Sequence, residues 1–143
     1  MAGTPLEIQK CLDEGVFEKV VHLLCNDNSE IKKEAIWALS NALSFSTESQ
    51  ICTLVYEKQC LRGLIAVLEA APDSKSLIVA MEGLENVLKH GKTHENSFGL
   101  EFEKLGGLDI LESLQQHKNA EVYAKALKLI EDYFQPEIMD VEQ

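Results

Sequence analysis

The chain has 143 residues, 45% of them apolar, and a net charge of −11 from 24 acidic and 13 basic side chains. That apolar share excludes global disorder, and so acidic a surface repels nucleic acid and anionic membranes while favouring Lys/Arg-rich partners. No apolar run approaches the ~18 residues of a membrane span, and the opening MAGTPLEIQK has no apolar signal core.

In chain order the periodicity is helical almost throughout. After Pro5 comes LEIQKCLDEGVFEKVVHLL (6–24), then the polar break CNDNSE (25–30), then IKKEAIWALSNAL (31–43). SQICTLVYEKQCLRGLIAVL (49–68) follows, with the break EAAPDSKS and the helical LIVAMEGLENVLKHG (77–91). Last come NSFGLEFEKLGGLDILESLQQHKN (96–119) and AEVYAKALKLIEDYF (120–134). No Asn-Gly or Asp-Gly hairpin signal interrupts them.

These segments repeat one another. Aligning Ala35, Ala80 and Ala126 gives offsets of 45 and 46 residues, and the same offsets superpose Leu39, Leu84 and Ile130. They also superpose Gly15, Cys60 and Gly106, where a first helix is expected to turn into a second. Each unit reads as a short helix, a tight turn, a second helix, a polar loop and a longer third helix. The predicted units are roughly 5–43, 47–91 and 95–134, and residues 135–143 (QPEIMDVEQ) read as an acidic, disordered tail. A unit of this kind cannot bury its apolar face alone. The predicted fold is therefore an all-α, right-handed superhelical solenoid of three three-helix units.

Chemistry-bearing residues are few. Cys11, Cys25, Cys52 and Cys60 form no Cys-x-x-Cys pair and read as reduced thiols, mostly in the core. His90 and His94 flank Gly91 and read as loop histidines rather than metal ligands. The loop HGKTHENSFG lacks the ending and the preceding strand of a phosphate cradle. With no nucleophile–base pattern, an enzyme is not expected, and neither is a cofactor or a metal.

One helix carries a more specific pattern. Positions 34, 37 and 41 fall within an arc of about 60° on a helix, so Glu34, Trp37 and Asn41 share a face. An amide there can hydrogen-bond the backbone of an extended peptide. An indole gives a flat wall for a Lys or Arg stem, and a carboxylate attracts the cationic head. A single helical Trp is also a common packing residue, so the residues alone leave two readings: a peptide groove, or a generic interaction scaffold with Trp37 in its core.

The three-helix unit with a period in the mid-forties resembles the armadillo repeat. KKEAIWALSNA, GLENVLKHG and GGLDILESLQQHKNAEVYAKALKLIEDYF closely resemble the last three repeats of importin-α nuclear-import adaptors, over nearly the whole chain. The family's basic autoinhibitory segment and earlier repeats have no counterpart here, so a C-terminal fragment or a shortened relative is expected. The resemblance implies that Trp37 and Asn41 match the Trp-x-x-x-Asn pair of the minor nuclear-localisation-signal site, with Glu34 as acidic companion. In the next unit Asn86 keeps the amide but Glu82 stands in place of Trp, and in the third Lys128 and Asp132 hold these positions. The implied site is thus Glu34, Trp37, Asn41, Glu82 and Asn86, one end of a groove. The implied partners are basic nuclear-localisation-signal cargo, a nuclear-export receptor and cargoes without a basic signal, met in cytoplasm and nucleus.

The first unit shows no polar cap. Ile8, Leu12, Val16, Val20, Val21 and Leu24 are expected to form an exposed apolar patch, through which two copies would join as a C2 homodimer.

Overall fold

A computed structural model describes residues 4–26, 29–70, 73–91 and 97–134. Among these, nine helices run in order and no strand occurs: α1 (Pro5–Asp13), α2 (Val16–Asn26), α3 (Ser29–Phe45), α4 (Glu48–Tyr56), α5 (Cys60–Ala70), α6 (Ser74–Gly91), α7 (Ser97–Lys104), α8 (Gly107–Leu114) and α9 (Ala120–Tyr133).

Helices start where a side chain can hold a free amide. The Thr4 hydroxyl accepts the Glu7 amide at 3.2 Å, and Pro5 follows where no amide is needed. Thr47 and Gln50 make a reciprocal capping box at α4. Asp73 accepts the Ser76 amide at 3.1 Å at the start of α6. Asn119 accepts the Glu121 and Val122 amides at 2.9 and 3.2 Å at the start of α9. Gln50 is buried and also donates to the Pro5 carbonyl at 2.8 Å and to Gln9 Oε1 at 3.2 Å, which ties α4 to α1.

The turns between first and second helices need a left-handed residue. Gly15 (φ 75°) and Gly106 (φ 90°) supply it in the outer units. In the middle unit the expectation at Cys60 is corrected by one position. Gln59 takes the positive φ, at 61°, and Cys60 is the buried first residue of α5. Gln59 accepts from Arg62 Nε at 2.8 Å, a local contact that offsets part of the steric cost of a side chain there.

The units stack in rows. The third helices α3, α6 and α9 lie side by side, and so do the second helices α2, α5 and α8; the contact of α3 with α6 is the most extensive. One apolar cluster runs from Ile8 to Leu129 without a break. An ion pair of 2.8 Å between Lys58 and Glu18 adds a link between the first two units. That hydrogen bond lowers the Glu18 carboxyl below its ordinary value and raises the Lys58 ammonium above its own. Among the described residues no helix is long and apolar enough to cross a membrane.

Three sequence expectations change. The apolar patch on the first unit is not exposed: Ile8, Leu12, Val20 and Leu24 are buried, and Val16 and Val21 are half-buried. The reason is that α2 packs on α5 as well as on α3, so the next unit covers the stripe assigned to a missing neighbour. The homodimer drawn from that patch loses its basis. The cysteines are not mostly internal either. Only Cys60 is buried, Cys11 is half-buried, and Cys25 and Cys52 are exposed. A small thiol fits an apolar stripe or a polar one, and composition does not tell them apart. His90 lies in the last turn of α6 rather than in a loop. His94 and the acidic tail, 135–143, lie outside the described residues.

The thiols give a direct check on this arrangement. Burial pushes the Cys60 thiol up to about 12, so at pH 8 it is inaccessible and un-ionised. A thiol-specific reagent is expected to modify Cys25 and Cys52 quickly in the native protein, with Cys60 reacting only on unfolding. Native-state labelling of Cys60 as fast as that of Cys52, read by peptide mass mapping, would contradict the packing of α5.

Candidate functional site

The α3 helix divides cleanly. Ala35, Ile36, Leu39, Ala42 and Leu43 are buried, whereas Glu30, Glu34, Trp37, Asn41 and Ser44 are exposed. The exposed set falls on one stripe of a helix with 100° per residue. Trp37 is 48% exposed, far from the state of a packing residue.

Trp37 faces the neighbouring unit. With Lys75, Ile78 and Glu82 of α6, and Asn119 and Glu121 at the start of α9, it lines an open cavity of about 450 Å³. The cavity thus touches all three third helices. It brings together Trp37 and Glu82 of the residues read from the sequence. Glu34 and Asn41 lie on the same exposed stripe as Trp37 but do not line it. Asn86 is half-buried, and its Nδ2 donates to the Glu82 carbonyl at 3.1 Å, so its amide is turned onto its own helix. In the third unit Lys128 and Asp132 pair with each other at 3.2 Å.

Lys75, Ile78, Asn119 and Glu121 were not singled out from the sequence. The signal was present in the repeat offsets. Lys75 and Glu121 are equivalent positions at an offset of 46, as Trp37 and Glu82 are at 45. The relation of Trp37 to Lys75 therefore recurs as Glu82 to Glu121, an aromatic with a cation replaced by two carboxylates. Lys75 Nζ lies 5.8 Å from the centroid of the Trp37 ring. Next to it, Asp73 pairs with Lys33 at 3.8 Å and so holds the start of α6 against α3. Its carboxyl lies below the ordinary value, first because the Ser76 side chain hydrogen-bonds it and then through Lys33 and Lys75.

The chemistry available here is recognition. The cavity offers an aromatic face, an apolar flank from Ile78, two carboxylates and the Lys75 ammonium, groups that can engage charged and apolar side chains. Among the described residues no group of three His, Cys, Asp or Glu side chains could hold a metal. A larger recess, of about 610 Å³, lies between α4 and α7 and is lined by Glu48, Cys52, Tyr56 and Phe98; it contains none of the peptide-site residues read from the sequence.

Comparison with known proteins adds to this geometry. Residues 4–44 match the armadillo/beta-catenin-like repeat family, and residues 96–143 match the atypical Arm repeat family. Importin subunit alpha-4 of Arabidopsis thaliana is 40% identical over 144 residues, covering 95% of this chain and 26% of that protein. Importin subunit alpha-5 of the same plant is 37% identical over 119 residues, covering 80% of this chain and 22% of that protein. Importin subunit alpha of Saccharomyces cerevisiae is 37% identical over 82 residues, covering 52% and 15%. The chain thus spans about a quarter or less of the length of these relatives. Among solved structures, a designed armadillo repeat protein in complex with the peptide (KR)4 is similar at a TM-score of 0.74 and 28% identity, covering 91% of this chain and 52% of that one.

Proposed function

Because the chain belongs to the importin-α family of armadillo-repeat proteins, we propose that it binds an extended Lys/Arg-rich peptide across α3 and α6 and serves as a cargo-recognising part of a nuclear-import adaptor. The observation that carries this reading is the half-exposed Trp37 in one cavity with Glu82 and Glu121. A peptide cation stacks its stem on the indole, and a second one meets the two carboxylates a helix further on. Asn41 and Glu34 lie on the same exposed stripe of α3 as Trp37. Asn86 contributes less than Asn41, since its amide is already bonded to Glu82. The net charge of −11 supports long-range attraction of such a peptide. The solved relative with (KR)4 bound makes this peptide the natural probe. Export-receptor docking and passage between cytoplasm and nucleus are proposed on the family resemblance.

The test uses the fact that Trp37 is the single tryptophan. Titration with (KR)4 is expected to change its emission to saturation. Raising salt from 0.1 to 1 M shortens the screening length from about 10 to about 3 Å and is expected to weaken binding steeply. An acidic peptide of equal length is expected to have no effect. An emission that stays flat up to millimolar (KR)4, or a response indifferent to salt, sinks the reading.

A further inference from the structure

The Trp37 face is already covered in the free protein. Lys75 Nζ stands 5.8 Å from the ring centroid, inside the ~6 Å reach of a cation–π contact. Lys75 lies in the first turn of α6, so its backbone is fixed by the helix start at Asp73, and Asp73 itself is held by Lys33 across the α3–α6 contact. The Lys75 side chain is exposed, however, and its ammonium can move into water without leaving a buried charge behind. The stem is therefore placed by rigid elements and the head is exchangeable.

We propose that Lys75 is a specificity-determining residue, an internal cation that occupies the Trp37 face and must leave it before a cationic side chain of a peptide can stack there. The inference rests on the peptide-groove reading above and says what sets the affinity of that groove. An incoming Lys or Arg exchanges one cation–π contact for another, so the indole contributes little net affinity while Lys75 is present. Neutral side chains face the same occupant and gain still less. The equivalent pair in the next unit, Glu82 and Glu121, has no internal cation in the Lys75 position. That half of the cavity attracts a peptide cation first, and the Trp37 face opens second.

Lys75→Ala isolates the effect. Alanine suits an exposed helix position, so the fold is retained. The control is Lys89→Ala, which removes the same charge from the exposed last turn of α6. In the absence of peptide, Lys75→Ala is expected to shift the Trp37 emission and Lys89→Ala to leave it unchanged. For (KR)4, Lys75→Ala is expected to tighten binding about two- to fivefold beyond Lys89→Ala, the factor that an exposed cation–π contact represents. In a Trp37→Ala background that excess should vanish. If Lys75→Ala and Lys89→Ala behave alike with Trp37 present, in emission and in affinity, the internal cation does not exist and only this inference falls. If neither the parent nor Lys75→Ala binds (KR)4, the peptide reading fails and this inference fails with it.

Discussion

Phe102→Ala is expected to lower the unfolding free energy by about 3–5 kcal/mol, about a fifth or more of what a domain of this size commonly has. Phe102 is fully buried near the end of α7. Its ring lies under the start of α8, and a Cβ on Gly107 would fall 2.3 Å from the ring edge. Gly106 supplies the left-handed turn above it, and the Phe134 ring stacks obliquely at 5.9 Å on the other side. The ring therefore joins both ends of the third unit, and a cavity there cannot close without moving two helices. Urea unfolding followed by circular dichroism measures the change. Gly107→Ala approaches the same contact from the opposite side, and overpacking is expected to destabilise by about 1–3 kcal/mol. A loss below 1 kcal/mol for Phe102→Ala would mean that the α7–α8 turn is not built around this ring.

The repeat was the most legible part of the sequence because its signal is physical at every level. Ala35, Ala80 and Ala126, aligned on small size alone, are all buried where third helices meet their neighbours. Leu39 and Leu84 are fully buried, while Ile130 at the equivalent position, on the last of the described helices, is only half-buried. The helix starts follow the same physics, a short polar side chain that caps the free amides ahead of an apolar period, as at Thr4, Thr47 and Asn119. The left-handed Gln59 was not legible, because nothing in its type distinguishes it from a helix-end residue.

Contacts between units were harder to read than the units themselves. Trp37 was identifiable from its own helix, whose exposed stripe also carries Glu34 and Asn41. Lys75 was not, since its position over the indole depends on how far α6 is staggered against α3, and Lys75 stands about two turns before Glu82, the true equivalent of Trp37. The covered N-terminal stripe has the same origin. The periodicity of α2 says that Val20 and Leu24 face something apolar, but not that α5 is what they face.

Trp37→Ala is expected to weaken (KR)4 binding about twofold to sixfold in the parent, where Lys75 already occupies the ring, and about fivefold to thirtyfold in a Lys75→Ala background, while changing stability by less than about 1 kcal/mol. The two effects separate because the indole is 48% exposed and touches the core little. Its truncation leaves no sealed cavity of the kind that makes Phe102→Ala costly. What it removes is the apolar wall and the ring face, worth about 1–2 kcal/mol to a stacked cation. Lys75 then has no ring to cover, so the loss should be smaller at first sight than the indole could supply, and larger once Lys75 is also replaced by alanine. Isothermal titration with (KR)4 gives the affinity and thermal unfolding the stability. The charge-dependent part should remain, because Glu82 and Glu121 are untouched, and binding by Trp37→Ala should keep the salt dependence of the parent. If Trp37→Ala instead unfolds the protein by several kcal/mol and leaves the affinity of the folded fraction unchanged, the indole is a packing residue and the scaffold reading of the sequence is the correct one.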